Sequence, residues 1–451
     1  MATFVRCGWL FDGRGESAAA DQTIVVRDGT IEFVGPGAAA PAQAGGDVTL
    51  DYSGLFVLPG LADVHTHLAY GNAKSEENID IYSPMEFRAL RGMFFAQQVL
   101  AAGYTSICSP GDAGRISLSI RNAVDAGLFP GPHVMAAGPY ITSRQGLADW
   151  YPTWIGTPET GVGHLVKCLD EGIEEVRRQI KDGVDCIKIA MDGRMKRPDG
   201  EFMAAFTQRE TSAMVEEIHR LGRKAIVHAR GREAVLYAAR AGVDLIFHAS
   251  YMDDEGLEAV LKNKCAIAPT LTFLRHDIDF TQPSDQAFNT GRRDASEEEF
   301  NAACQIVARA HKAGVPILPG TDSGFALTPY GEWHAKELAI FVKYLGMTSA
   351  QALRSATSLA AGFLTHGERT GTLEKGKAAD IVALDGNPLR DITVLLERKR
   401  INAVLLGGEP VDLRRRSYDP AKVSDFSHQW WSTLYTRERV ESLYGAARIA
   451  A

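Results

Sequence analysis

The chain has 451 residues, 45% of them hydrophobic and 23% charged, with 48 basic against 56 acidic side chains and a formal charge of −8. That length suits one large domain plus a smaller one; the composition excludes a disordered chain, and the acidic balance argues against a nucleic-acid partner. No apolar run reaches the roughly 18 residues needed to span a bilayer, residues 1–7 lack the basic-then-apolar layout of a signal peptide, and six scattered cysteines without a C-x-x-C pair read as reduced thiols, so the expectation is a cytoplasmic protein with no membrane partner.

Residues 1–56 read as short strands and turns: 3–10, 23–27 closing on Asp28-Gly29 as a hairpin signal, 30–35 and 48–51. From residue 57 the pattern becomes strand, loop, helix, repeated. The strand candidates are 60–68, 105–109, 133–141, 186–191, 225–229, 245–249, 266–273 and 316–321. Between them, 84–102, 170–181, 207–221 and 296–313 carry apolar residues at three-and-four spacing, the mark of an amphipathic helix. Eight strands alternating with helices predict an α/β fold, a (β/α)8 TIM barrel over 57–365, whose active site lies at the C-terminal strand ends. After residue 365 strands return at 381–384 and 401–406. Residues 1–56 and 366–415 are expected to join as one small β-sandwich domain. Residues 416–451, with the run 429–435 (Gln-Trp-Trp-Ser-Thr-Leu-Tyr), form a tail that caps either the barrel or a neighbouring subunit.

The polar residues at the predicted strand ends carry the chemistry. His65 and His67 are two apart, so in a strand they face the same way, and paired imidazoles suit a divalent metal. Strand 4 holds Lys188 among apolar neighbours, strands 5 and 6 end in His228 and His248, and Asp322 follows strand 8. Any one of these has an ordinary structural role; a lone strand-end histidine is more often a hydrogen-bonded core residue. Six metal-competent or base-competent groups at one rim of one barrel point together to a metal site. A buried lysine tends to lose its proton, and a neutral amine can add carbon dioxide to become a carbamate able to bridge two ions. The rival reading is a lysine that snorkels out of the barrel mouth.

His65-x-His67, Lys188, His228, His248 and Asp322, each on its expected strand, resemble the amidohydrolase superfamily. The opening run 8–13 (Gly-Trp-Leu-Phe-Asp-Gly) and the closing run 371–392 resemble its imidazolonepropionase-related branch, and the likeness covers about residues 4–412. Within the branch, 141–152 and 227–231 look similar to the phenylurea and molinate hydrolases. They depart from the dipeptidase members, which have a Gly-Gly-His after Ile-Thr and a tyrosine where Arg230 stands. The resemblance implies that His65 and His67 bind a first metal, His228 and His248 a second, a carboxylated Lys188 bridges them, and Asp322 completes the first site and moves protons. It implies one or two zinc ions per chain, with cobalt or manganese as substitutes, and carbon dioxide for Lys188. Two ions about 3.5–4 Å apart hold a hydroxide that attacks a polarised carbonyl.

For the substrate, Arg230 lies two residues past His228 and so can face the same cavity, although a surface arginine opening the next helix fits the sequence equally well. Trp150, Tyr151 and Trp154 follow strand 3, Phe325, Tyr330 and Trp333 follow strand 8, and Tyr140 can donate to a carbonyl oxygen. Aromatic supply suits an aryl substrate, though such residues also pin loops. His334 follows Asp322 closely; His133 opens a strand at the wrong edge, and His164, His219, His276, His311, His366 and His428 carry no expected role. The reading is a metal-dependent hydrolase of a C–N bond in an amide, urea or carbamate, acting on a neutral aryl substrate such as a phenylurea. The rival substrate is a Xaa-Pro-type dipeptide or N-acyl amino acid. A scaffold protein that kept the fold without catalysis is the alternative of another class, and a homo-oligomer is expected.

Overall fold

Short apolar segments separated by amphipathic helices close a ring in the computed structural model, which describes residues 1–283, 291–414, 416–423 and 435–445. The barrel strands are β1 (Leu61–Asp63), β2 (Tyr104–Ser109), β3 (His133–Ala136), β4 (Tyr140–Thr142), β5 (Cys186–Ala190), β6 (Lys224–Ala229), β7 (Leu245–His248) and β8 (Ala266–Ala268). They pair in parallel: β1 with β2, β2 with β3, β4 with β5, β5 with β6, β6 with β7 and β7 with β8. β3 and β4 are two halves of one predicted strand, interrupted at Gly138-Pro139, and Asp185 N donates to Ala136 O at 2.8 Å to join β3 to the start of β5.

The eighth stave is the segment 316–319. Pro316 and Pro319 have no N–H to give, so it forms a single bridge in place of a ladder. Ile267 N donates to Pro316 O, Leu318 N to Ile267 O and Val64 N to Pro319 O, all within 2.8–2.9 Å, and the ring is closed. Pro269 likewise stops β8 after three residues. The predicted strand 266–273 therefore divides, and Leu271–Phe280 is a helix.

Alternation along each strand sorts its side chains. Ala62, Cys108, Met135, Cys186, Ile226, Phe247, Ala268 and Leu318, one from each stave, pack in a single apolar cluster that fills the bore. Their neighbours in sequence, such as Ile107, Ile187, Val227 and Ile246, pack outward with the helices. A barrel interior filled this way is a core and not a pore. The helices Met85–Ala101, Leu169–Asp182, Gln208–Arg220 and Arg292–Lys312 lie where the apolar spacing put them. Gln208–Arg220 starts on a capping box between Thr207 and Glu210 and buries Met214, Val215 and Ile218.

Both chain ends build one seven-stranded sheet, in the order Glu409–Pro410, Ile401–Leu406, Ile381–Leu384, Val48–Pro59, Thr3–Leu10, Ala19–Arg27, Thr30–Pro36. Val48–Pro59 sits at its centre and runs through Gly60 into β1, so sheet and barrel share one stretch of chain. Gly60 permits that junction: a Cβ there would lie 2.0 Å from Thr105 Oγ1. Asp380 ties the two parts, accepting from Gly407 N at 2.8 Å and facing His133 Nε2 at 3.1 Å, while its carbonyl accepts from Gly60 N. His133 is thus at the opposite end of the barrel from the ligand rim.

The tail packs on the barrel of its own chain. Tyr435 N donates to Ala326 O, Trp333 Nε1 to Tyr435 O, and Asn72 Nδ2 to Tyr418 Oη. The Trp-Trp run and His428 lie outside the described residues. Among those described, no helix is long and apolar enough to cross a membrane.

Candidate metal centre and active-site cavity

Strand parity places Lys188 and His228 in the bore, since Cys186 and Ile226 are there two residues earlier. Phe247 forms the floor. His65 stacks on its ring at a centroid distance of 4.0 Å, and Lys188 Nζ sits 4.1 Å from the same ring. Parity alone would turn His248 outward, because Phe247 points in. His248 has φ 74°, and this left-handed backbone brings its ring to 4.5 Å from His228 and 5.5 Å from His65. Thr270 (φ 58°) and Asp322 (φ 56°) are left-handed as well. Each such non-glycine residue costs on the order of 1–3 kcal/mol and persists where the surroundings over-determine it; here three fall on one rim.

Hydrogen bonds fix the histidine tautomers. His67 Nδ1 lies 2.7 Å from Gly111 O, a pure acceptor, so Nδ1 carries the proton and Nε2 the lone pair. Gly111 (φ 148°) approaches closely because a Cβ would meet Tyr140 Cδ1 at 2.4 Å. His65 Nδ1 lies 3.0 Å from Thr270 Oγ1, whose own hydrogen goes to Ala268 O, so this Nδ1 also donates. Both Nε2 lone pairs then face inward. His65 Nε2 is 3.3 Å from His67 Nε2 and 3.4 Å from Asp322 Oδ1; His67 Nε2 is 3.1 Å from the same oxygen. Lys188 Nζ is 3.3 Å from His65 Nε2. Donor atoms of His65, His248 and Asp322 lie within 4.8 Å of one another. Lone pairs turned toward a carboxylate oxygen at such distances are stabilised by a cation among them, and this donor set fits a divalent metal.

Burial sets the charge states. It pushes His65, His228 and His248 well below the ordinary imidazole value, with Lys188, Arg230 and the neighbouring imidazoles adding to the effect. It lowers the Lys188 ammonium to about 8, against the opposing pull of Asp322. Neutral imidazoles and a readily deprotonated amine are the forms that metal binding and carbamate formation require.

The rim opens into a cavity of about 370 Å³, within the usual size for small-molecule sites. Arg230 lines it. Its guanidinium lies 4.4 Å from the Phe202 ring, donates to Gly193 O at 2.6 Å and is 3.4 Å from Glu299. The side chain is thus mostly buried against the cavity wall, although the residue also closely precedes the helix Arg232–Ala241. Tyr140 also lines the cavity, its hydroxyl 3.3 Å from that of Tyr70, which stacks on His67 at 4.2 Å. Trp150 lines the wall and is held by Asp80, which accepts from its Nε1 at 2.7 Å. Trp154 must be corrected: it is 85% exposed and outside the cavity, because its loop turns to solvent after Pro152. Of the aromatic residues after stave eight, Phe325 reaches the cavity, whereas Tyr330 donates to His67 O and Trp333 is buried beside His276. His334 lies behind the site. Its Nδ1 is 2.7 Å from Asp63, whose carboxylate also accepts from His65 N and Thr321.

The site contains residues that strand-end reasoning passed over: Thr270, Asp192, Arg194 and Arg292. Asp192 and Arg194 continue the parity of Lys188, so the signal was present. Thr270 and Arg292 belong to segments that only the tertiary fold brings to the rim.

A closed parallel barrel with histidine, lysine and aspartate side chains gathered at its C-terminal rim is the arrangement of a hydrolase of the amidohydrolase type. The Amidohydrolase family model matches residues 56–411, and the chain belongs to that family. Ochratoxinase of Aspergillus niger is 29% identical over 437 residues, covering 90% of this chain and 86% of that one, and imidazolonepropionases are among the other relatives. A solved Xaa-Pro dipeptidase with methionine bound in its active site superposes with a TM-score of 0.79 at 28% identity, covering 91% of this chain and 99% of the other. Phenylurea hydrolase B shares the fold, with a TM-score of 0.72 at 20% identity over 92% and 97% of the two chains.

Proposed function

We propose that this enzyme hydrolyses an amide C–N bond with a metal centre built on His65, His67, Lys188, His228, His248 and Asp322, and that its substrate carries a carboxylate. The observation behind the chemistry is the inward-facing donor set around Asp322, with tautomers fixed by Gly111 and Thr270. His65, His67 and Asp322 would hold one ion and His228 and His248 a second, with Lys188, as a carbamate formed from carbon dioxide, between them. Zinc suits these ligands, and cobalt or manganese can replace it. Bound ions of this kind acidify a water and polarise the scissile carbonyl. Asp322, whose carboxylate lies at the rim beside His65 and His67, would hold a proton and pass it to the leaving nitrogen. Tyr140 and Trp150 line the same cavity.

The carboxylate is argued from Arg230, held at the cavity with Arg194 and Arg292 on the same lining. A guanidinium recognises a carboxylate through two parallel hydrogen bonds. Methionine in the active site of the Xaa-Pro dipeptidase supports the same class. A neutral aryl urea or carbamate is the second reading, favoured by Tyr70, Phe273 and Phe325 on the lining and by the fold likeness to phenylurea hydrolase B. A scaffold role without catalysis is disfavoured, because all six donor positions are filled.

Initial rates on zinc-loaded, bicarbonate-supplemented enzyme separate the two substrates. N-acyl phenylalanine should be cleaved faster than an uncharged aryl urea, and Arg230→Ala should raise KM for the acid by about tenfold or more. Faster cleavage of the urea, with no effect of Arg230→Ala on KM, would move the enzyme to the second reading.

A further inference from the structure

A second cavity, of about 610 Å³, adjoins the active-site cavity and shares four lining residues with it: Lys196, Phe202, Tyr251 and Glu298. The six rim donors and Arg230 line the first cavity only. Phe202 and Tyr251, with ring centroids 5.7 Å apart, form the aromatic part of the partition. Phe202 belongs to a hairpin, Asp192–Lys196 with Phe202–Ala204, in which it pairs with Lys196. Its ring lies 4.4 Å from the Arg230 guanidinium and 4.6 Å from Lys196 Nζ. Gly231 lets the hairpin come this close, since a Cβ there would lie 2.6 Å from Phe202 Cβ. Tyr251 is tied to the same place, its N donating to Arg230 O at 2.8 Å. Beyond the partition the lining passes to Ala302, Gln305 and Ile306 of the helix Arg292–Lys312.

We propose that Phe202, with Tyr251 beside it, is a stop that sets the length of the leaving group. The inference rests on the reading that Arg230 holds the substrate carboxylate. A short amino acid then ends at Arg230, and a chain that continues further meets the ring packed against the guanidinium. A ring held by two cations and by close backbone contact does not swing aside cheaply. Such a wall selects by clash, which separates substrates more sharply than a missing contact does. The second cavity is the space into which a longer chain would pass once the wall is removed.

N-benzoylglycine and N-benzoyl-6-aminohexanoate each have one amide bond and differ only in the length of chain between it and the carboxylate. Wild type should cleave the short substrate with kcat/KM at least about tenfold higher. Phe202→Ala should raise kcat/KM for the long substrate about tenfold or more over wild type. The absolute gain is the informative quantity, because losing the ring beside Arg230 can by itself only lower rates. Tyr251→Ala, which leaves the Phe202 ring on Arg230, should shift the long substrate in the same direction. Adding Ala302→Trp to Phe202→Ala fills the second cavity from its other wall and should cancel the gain, while Ala302→Trp alone leaves N-benzoylglycine hydrolysis unchanged. A merely structural role for Phe202 would lower both substrates and leave no gain to cancel. Equal cleavage of both substrates by wild type overturns the stop. So does the absence of any gain in Phe202→Ala and Tyr251→Ala that melt as wild type does. In either case Arg230→Ala still raising KM for N-benzoylglycine leaves the carboxylate anchor standing; Arg230→Ala without effect on that KM overturns the anchor itself.

Discussion

The proposed chemistry turns on Lys188. Its strand buries it on the floor of the site, 4.1 Å from an aromatic ring and 3.3 Å from an imidazole nitrogen. Burial holds its ammonium down to about 8, and no carboxylate oxygen of Asp322 pairs with Nζ among the ion pairs of the described residues. Such an amine gives up its proton more readily than an ordinary lysine, which favours carbamate formation. Lys188→Ala should lower activity about 100-fold or more and cut the metal content measured by plasma mass spectrometry. Retention of both full activity and full metal content would remove Lys188 from the centre. His65, His67, Lys188 and His228 were readable in the sequence because strand parity is local. His248 was readable as a residue type, but its direction depends on a left-handed turn that no periodicity encodes. Trp154 was misjudged because the loop's composition does not say which aromatic residue turns inward.

The elements that carry the ligands are held by buried carboxylates. Glu337, at the start of the helix Lys336–Leu345, accepts from Leu271 N at 2.9 Å, Thr272 N at 2.7 Å and Thr272 Oγ1 at 2.6 Å. It thereby anchors the helix that follows Thr270, the partner of His65. Glu337→Ala should cost about 2–3 kcal/mol in urea denaturation of the metal-free protein at pH 5. Burial raises the Glu337 carboxyl from 4.5 to about 7, against the pull of its hydrogen bonds. A folded-state value above the unfolded one means that stability from this group is complete below about pH 4.5 and lost as pH rises through about 7. Glu337→Gln has no such proton to lose. The stability difference between Glu337→Gln and wild type should therefore move in the variant's favour between pH 5 and pH 8; a constant difference would contradict the linkage. Element boundaries were legible where apolar spacing ran unbroken, as in Met85–Ala101 and Gln208–Arg220. They failed at Pro139, Pro269 and Pro319, where a missing N–H ended a ladder that hydrophobicity alone would have continued.

At the scale of the whole molecule, the barrel and the end sheet share the run from Val48 to Asp63. Asp380 and His133 join them at the face away from the site. The eight-stave ring was legible because β/α alternation is a repeated signal. That both chain ends pair with each other was legible, but the expected sandwich is a single seven-stranded sheet, and its strand order depends on contacts more than 300 residues apart in sequence. Closure by a proline-flanked segment is also a property of the assembled ring. It stitches Asp322 to the first stave, with Asp322 N donating to His65 O at 2.8 Å, so the two halves of the proposed first metal site are set by the step that closes the barrel. The proposed site works through a bound divalent metal. Hydrolysis of N-acyl phenylalanine should be followed after chelator stripping and during stepwise return of zinc with bicarbonate present. Stripping should abolish the rate, and activity should return in proportion to zinc bound, up to one or two ions per chain. A rate that survives complete removal of metal would contradict it.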